Sequence, residues 1–315
     1  MINIKGAFGY NIELINETCN YNQNMLIDYF ENEFEKSIDN VINSVIKNNK
    51  RIIMLSGPSS SGKTTSSFKI VQGLKKHNIS AHSISLDNFF RNKSEAFIDE
   101  YGKYDFESVN ALDIKLIKQK LFELISLETS KLPTFNFTKG IRTDDSVKVT
   151  LAQNGVIIVE GIHALNKIID NIFPSELTYK IYISVHSNFL LGNEIILTKR
   201  DARLIRRLIR DNKYRNSSFD NTLGMWENVC KGEDLYIRPN AKYADIRIDS
   251  TFPYEVGMLK QIVLPLLKEV PKQSENFEKA FNLINALELF SEFDISKIPV
   301  NSLLREFIGG GCYHY

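Results

Sequence analysis

The stretch Gly57-Pro58-Ser59-Ser60-Ser61-Gly62-Lys63-Thr64, with Thr65 after it, constrains this chain more than any other. It follows the apolar run Ile52-Ile53-Met54-Leu55 and precedes a segment that reads as a helix. Strand, glycine loop and helix in that order are the context a phosphate-binding P-loop requires. Backbone N–H groups of such a loop curl around phosphate oxygens, and the positive end of the next helix adds to the attraction. Lys63 is placed to reach the β- and γ-phosphates, and the Thr64 hydroxyl to ligate Mg²⁺. The bland alternative is a Gly/Ser-rich turn with a solvated lysine. Residues 57–65 are therefore the expected ATP-binding set.

The composition fits a folded domain of ordinary kind. Of 315 residues, 43% are hydrophobic and 24% charged, which suits one large domain or two small ones. A formal charge of +1 creates no global field favouring nucleic acid or an anionic membrane. No apolar run approaches the roughly 20 residues of a membrane span. Met1-Ile2-Asn3-Ile4-Lys5 lacks the basic-then-apolar order of a signal peptide. Cys19, Cys230 and Cys312 lie far apart and form neither a metal spacing nor a disulfide framework, which fits the cytoplasm.

Residues 1–20 are mixed and carry no clear pattern. Apolar residues from Met25 to Val45 recur at three- and four-residue spacing and predict one or two amphipathic helices over 24–48. The loop's strand is expected at 51–56 and its helix at about 63–77. A second parallel strand, 79–86, ends in Asp87-Asn88-Phe89-Phe90. An acid at the carboxyl end of a strand in an open α/β sheet sits where ligands bind. Residues 91–110, with Tyr101, Tyr104 and Phe106, read as loop or short helix, and 111–127 as helix. Leu132-Pro133 breaks the pattern, and 134–137 is a short strand or hairpin arm. Val156-Ile157-Ile158-Val159 is a buried strand ending in Glu160, whose carboxylate can hold Mg²⁺ directly or through water. Further strands are expected at 179–185 and 243–248, and helices near 254–270 and 275–291. Pro271 marks a boundary, and the Gly-rich tail ends in aromatic residues.

The second informative stretch is 199–215, with eight basic and two acidic residues, a local charge of +6. Arg203, Arg207 and Arg210 stand at i, i+4 and i+7, on one helix face. A solvated face or an RNA-binding patch is the plain reading. Beside a P-loop, arginine forks also serve the charge that builds on a transferring phosphoryl group. The segment therefore reads as a lid helix closing over ATP.

The blocks G-P-S-S-S-G-K-T-T, S-L-D-N-F-F, V-E-G-I-H, D-A-R-L-I-R-R-L-I-R-D and K-Y-A-D, in that order, resemble the uridine kinase and phosphoribulokinase superfamily over about residues 51 to 270. The resemblance implies an α/β fold, a P-loop three-layer sandwich with a mostly parallel sheet. It implies an ATP- and Mg²⁺-dependent kinase of a small molecule, most simply the 5′-hydroxyl of a nucleoside. Asp87 is the implied base toward the acceptor hydroxyl. Lys63, Arg207, Arg210 and Arg215 are implied to carry phosphate charge, and Thr64 and Glu160 to hold Mg²⁺. The acid that contacts the ribose hydroxyls matches Glu107 by its spacing to Asp113, with Asp105 as a close rival, and Arg142 matches an arginine near the substrate. Phe135, Gly140 and Met225 stand where pyrimidine kinases carry Tyr, His and Gln, and Ser217 replaces the second arginine of a lid Arg-Gly-Arg. Losing polar readers of a base relaxes or changes specificity. The resemblance points to a divergent uridine kinase-like branch, whose kinase domain can follow a domain related to tRNA-synthetase editing modules; that domain is not expected here.

The organisation expected is thus an N-terminal helical extension over 1–50, a kinase domain over 51–270 with a lid at about 199–226, and a C-terminal helical extension and tail over 271–315. Other acceptors, a phosphorylated sugar or a glycerate-like acid, and a nucleotide-dependent regulatory or RNA-binding role, stay open as alternatives. So does a homo-oligomer.

Overall fold

A computed structural model describes residues 4–6, 8–95 and 107–313. Tyr101, Tyr104, Asp105 and Phe106 lie outside the described residues. In chain order the elements are β1 (Gly9–Asn11), α1 (Ile12–Lys47), β2 (Ile52–Ser56), α2 (Lys63–Lys76), β3 (Ala81–Ser85), α3 (Ile114–Leu127), β4 (Thr129–Asn136), β5 (Ile141–Thr150), β6 (Val156–Glu160), α4 (Lys167–Asp170), β7 (Thr178–Ser184), β8 (Asn188–Leu191), β9 (Glu194–Leu197), α5 (Lys199–Arg215), α6 (Phe219–Gly232), β10 (Ile246–Asp249), α7 (Glu255–Leu267), α8 (Phe277–Glu288) and α9 (Arg305–Ile308).

The central sheet has the order β10-β7-β2-β6-β3, and every neighbouring pair in it is parallel. Its strands are continuous apolar runs because both faces are covered. Ile53 and Leu55 of β2 face the cluster formed with α1, α2, α5 and α7. Ile52 and Met54 face the opposite cluster, with Ile117, Leu121 and Leu124 of α3. β6 and β7 alternate in the same way, so the expected three-layer α/β arrangement is the one that forms.

α1 begins twelve residues earlier than the sequence pattern suggests. It bends at Asn22, where φ is −161° and ψ is 94°. The Asn22 side chain accepts from the Met25 N–H, so it caps the second half as a new helix. The first half buries only Ile12, Ile15 and Cys19, a stripe too short to stand out in sequence, and its polar residues reach the C-terminal chain: Asn16 Nδ2 donates to the Leu289 carbonyl and Oδ1 accepts from the Ser291 N–H.

β4 and β5 form an antiparallel hairpin, with a register shift at Pro133. β5 was not expected: nearly all of it is solvent-exposed, so no buried face writes a period into its sequence. The C-terminal residues Leu303, Leu304 and Phe307 are fully buried in the same cluster as α1 and α2. The aromatic tail docks as well. The Tyr313 ring stacks on Phe68 of α2 at 5.8 Å, and its hydroxyl lies 3.2 Å from Gln72 Oε1. No helix among the described residues is long and apolar enough to cross a membrane.

Candidate active site

The carboxyl ends of β2, β6 and β3 meet at one edge of the parallel sheet, where ligands of open α/β sheets bind. β2 runs into the glycine loop, β6 ends on Glu160, and β3 leads to Asp87 in a single 3₁₀ turn, residues Leu86–Phe89. A Cβ on Gly57 would lie 2.0 Å from the Ile183 carbonyl oxygen, so the loop can leave the sheet here only as glycine. Gly62, the N-cap of α2, has φ of +87° and offers no side-chain cap. The first N–H groups of a helix have no intrahelical partner, so the start of α2 is a donor cluster with a positive dipole end.

The hydroxyls of Ser60 and Ser61 are buried without a hydrogen-bond partner among the described residues. Orphaned donors of this kind, on a loop held at positive φ, fit a phosphate oxygen. Lys63 Nζ turns back to donate to the Pro58 carbonyl at 3.1 Å. Burial lowers the pKa of its ammonium; the Glu160, Asp87 and Glu306 carboxylates oppose that shift. Among the described residues no three His, Cys, Asp or Glu groups form a metal cage. Thr64 and Glu160 with phosphate and water fit Mg²⁺ better than a cation needing an all-protein shell.

Burial first, and the Asp87 charge second, push the Glu160 carboxyl up to about 7, against the pull of Lys63. Folding then takes up a proton between the ordinary carboxyl pKa, about 4.5, and about 7, so the empty protein loses stability as pH rises through that window. Glu160→Gln lacks this titration. Its melting temperature should gain on the wild type between about pH 4.5 and about pH 8. A difference that does not change with pH would refute the assignment.

α5 supplies the opposite wall. Its capping box (Thr198 with Asp201) fixes where it starts and so which face turns inward. Arg207 Nη1 donates to Ser59 Oγ at 3.0 Å, and Arg203 Nη1 to the Ser59 carbonyl at 3.2 Å. Arg203 also pairs with Glu233 at 2.5 Å and packs over Trp226. Arg206, at i+3 from Arg203 and so on the same side of the helix, is wholly buried: it pairs with Glu255 at 2.5 Å and donates to the carbonyls of Ser60 and Ser250. Asp211 is the hub that sequence reasoning missed. Its buried carboxylate lies 3.0, 2.7 and 3.6 Å from the guanidinium nitrogens of Arg207, Arg210 and Arg215. Burial and the neighbouring Arg210 bring Arg215 down to about 10.

Between these walls lies a cavity of about 440 Å³. Lys63, Asp87, Glu107, Arg207, Arg210 and Arg215 all line it, and so does Ser59 of the loop. Its other wall is aromatic. Phe135 of β4 and Phe137 just beyond pack edge to face at 5.2 Å, with Phe90 at 5.6 and 6.3 Å. The Arg215 guanidinium covers the Phe137 ring at 4.3 Å. Asn88 ties this wall to the strand end by accepting from the Phe135 N–H. Gly140 and Met225 line the cavity too. Arg142, expected near the substrate, is not among the lining residues: Asp113 and Asp144 engage its guanidinium at 3.2 and 2.7 Å. Thr65, expected with the nucleotide set, donates its hydroxyl to Glu306 Oε2 at 2.7 Å. Phe90, Phe137 and Asp211 were not singled out; the first two carried only aromatic spacing as a signal.

Residues 52–255 match the model of the Phosphoribulokinase / Uridine kinase family. A uridine kinase of Staphylococcus haemolyticus is 30% identical over 202 residues, 64% of this chain and 87% of that protein. Uridine kinases of Staphylococcus aureus are 30% identical over 199 residues, 62% of this chain and 86% of theirs. Among solved structures, a possible uridine kinase from Bacillus stearothermophilus gives a TM-score of 0.47 at 16% identity, covering 69% of this chain and 100% of that one.

Proposed function

Since this chain belongs to the phosphoribulokinase / uridine kinase family, we propose that it transfers the γ-phosphoryl of ATP to the 5′-hydroxyl of a nucleoside. The observation that carries this reading is the meeting of Asp87, Lys63 and the α5 arginines around one cavity with an aromatic wall. Asp87 accepts the proton of the acceptor hydroxyl, the base's task in phosphoryl transfer. The loop N–H groups and Lys63 hold the phosphates in line with that hydroxyl. Arg207 and Arg210 supply fixed positive charge where the transferring group gathers it, and Asp211 keeps their forks aimed. Thr64 and Glu160 would hold Mg²⁺, which would further neutralise phosphate charge. Glu107 at the cavity wall offers a carboxylate to sugar hydroxyls. The phenylalanines offer stacking faces to a base, with little hydrogen-bonded discrimination.

A second reading, an acceptor that is itself anionic, draws on the cations lining the cavity, Lys139 beside Lys63, Arg207, Arg210 and Arg215. Against the RNA-binding alternative, three of the basic residues in the run, Arg203, Arg206 and Arg207, are buried and committed to inward partners. The test is a panel of nucleosides, sugar phosphates and glycerate with γ-labelled ATP, with and without Mg²⁺. Label should enter nucleosides of more than one base, and only with Mg²⁺. Label in sugar phosphates or glycerate alone would move the assignment to the second reading.

A further inference from the structure

Residues 302–307, beyond the family-matched span, touch the glycine loop and its helix at two points and reach the loop at a third through Arg206 of α5. Leu303 presses on Gly62, where an added Cβ would lie 2.2 Å from its Cδ1. Phe307 lies under the Arg206 guanidinium, 5.6 Å from ring to Cζ, and Arg206 in turn holds the Ser60 carbonyl. Glu306 accepts the hydroxyl of Thr65, the third residue of α2, at 2.7 Å. Its carboxylate is therefore within the first turn, where the helix dipole acts. Glu306 is 8% exposed, so water screens it little. Its charge is felt at both Lys63 and Glu160.

From this placement we infer that Glu306 is a built-in anion that lowers the affinity of the cradle for nucleotide and hastens nucleotide release. The inference rests on the P-loop reading of residues 57–65. In the empty protein the carboxylate offsets the positive end of α2 and the Lys63 ammonium. An incoming phosphate chain brings like charge to the same turn. Glu306 cannot retire to solvent, because its neighbours are fixed. Leu303, Leu304 and Phe307 are fully buried, the Ser302 hydroxyl donates to the buried Glu31 carboxylate, and the Arg305 guanidinium holds the carbonyls of Ile298 and Gly309. The repulsion thus persists in the bound state and favours departure of the product diphosphate. A purely structural Glu306 makes the opposite prediction, since loosening the loop weakens binding.

The experiment measures ADP and ATP dissociation constants by calorimetry on the full chain, wild type, Glu306→Gln and Glu306→Asp. Glutamine keeps an acceptor for Thr65 and removes the charge; aspartate keeps the charge. E306Q should bind ADP about three- to tenfold more tightly, with a matching fall in the dissociation rate, and E306D should stay within about twofold of wild type. Unchanged or weaker binding by E306Q overturns the inference, as does an equal gain in E306D. If E306Q does not fold, Glu306→Met serves as the neutral variant with the same expected gain. A wild type that binds neither nucleotide refutes the P-loop reading itself, a separate result.

Discussion

Asp87→Ala should lower the rate of phosphoryl transfer by about 10²- to 10⁴-fold while leaving ATP affinity nearly unchanged, because a positioned base contributes that much and the phosphates are held elsewhere. Asp87 sits on the short turn after β3, and the loop, Lys63 and the α5 arginines come from other elements, so its truncation leaves the cradle standing. Asp87→Asn keeps the shape and removes the proton acceptor, and should fall by a similar factor. Both variants also take away a charge that adds to burial in raising the Glu160 carboxyl, so the Glu160 pKa should drop part of the way. Turnover at the wild-type rate in either variant would refute the base assignment.

Glu255→Ala should cost about 3–5 kcal/mol of stability, read as a lower urea midpoint, because it strands a buried guanidinium. Arg206 and Glu255 are the most deeply buried ion pair among the described residues, with side chains 0% and 1% exposed. Arg206 also grips the carbonyls of Ser60 and Ser250, so the variant should lose nucleotide affinity with its stability. Replacing both partners with apolar residues of similar volume should recover much of the stability, since the desolvation cost disappears with the charges. The affinity should stay low in that double variant, which separates packing from the hold on the loop.

The parts legible in the sequence are those written locally. The glycine loop between an apolar run and a helix names itself by spacing, and strands covered on both faces appear as uninterrupted apolar runs. Arg203, Arg207 and Arg210 could be placed on one face because helical periodicity fixes it, and that face does turn toward the loop and cavity. What escaped was written in three dimensions. Asp211 looks, in a basic run, like one more surface charge. Arg206 shares that side of the helix by spacing, but nothing local says that it, unlike Arg207 and Arg210, is closed off from the cavity by the sheet edge and α7. Thr65 and Glu306 are 241 residues apart, and nothing in either neighbourhood announces the other. The motif points Thr65 at nucleotide and the resemblance points Arg142 at substrate; the protein partners they have, Glu306 and the pair Asp113 and Asp144, are matters of packing.

The seating of Leu303 on Gly62 also bears on how this protein can be cut and joined. A fragment trimmed to residues 52–255 would open the outer wall of the glycine loop to water and strip α2 of its packing against Ile42 and Tyr313. Chimeras with shorter relatives inherit the same problem at their junctions. Such grafts must carry both flanks, and a fusion partner has to be spaced away from Tyr313, because that residue is packed on α2 at Phe68 and Gln72.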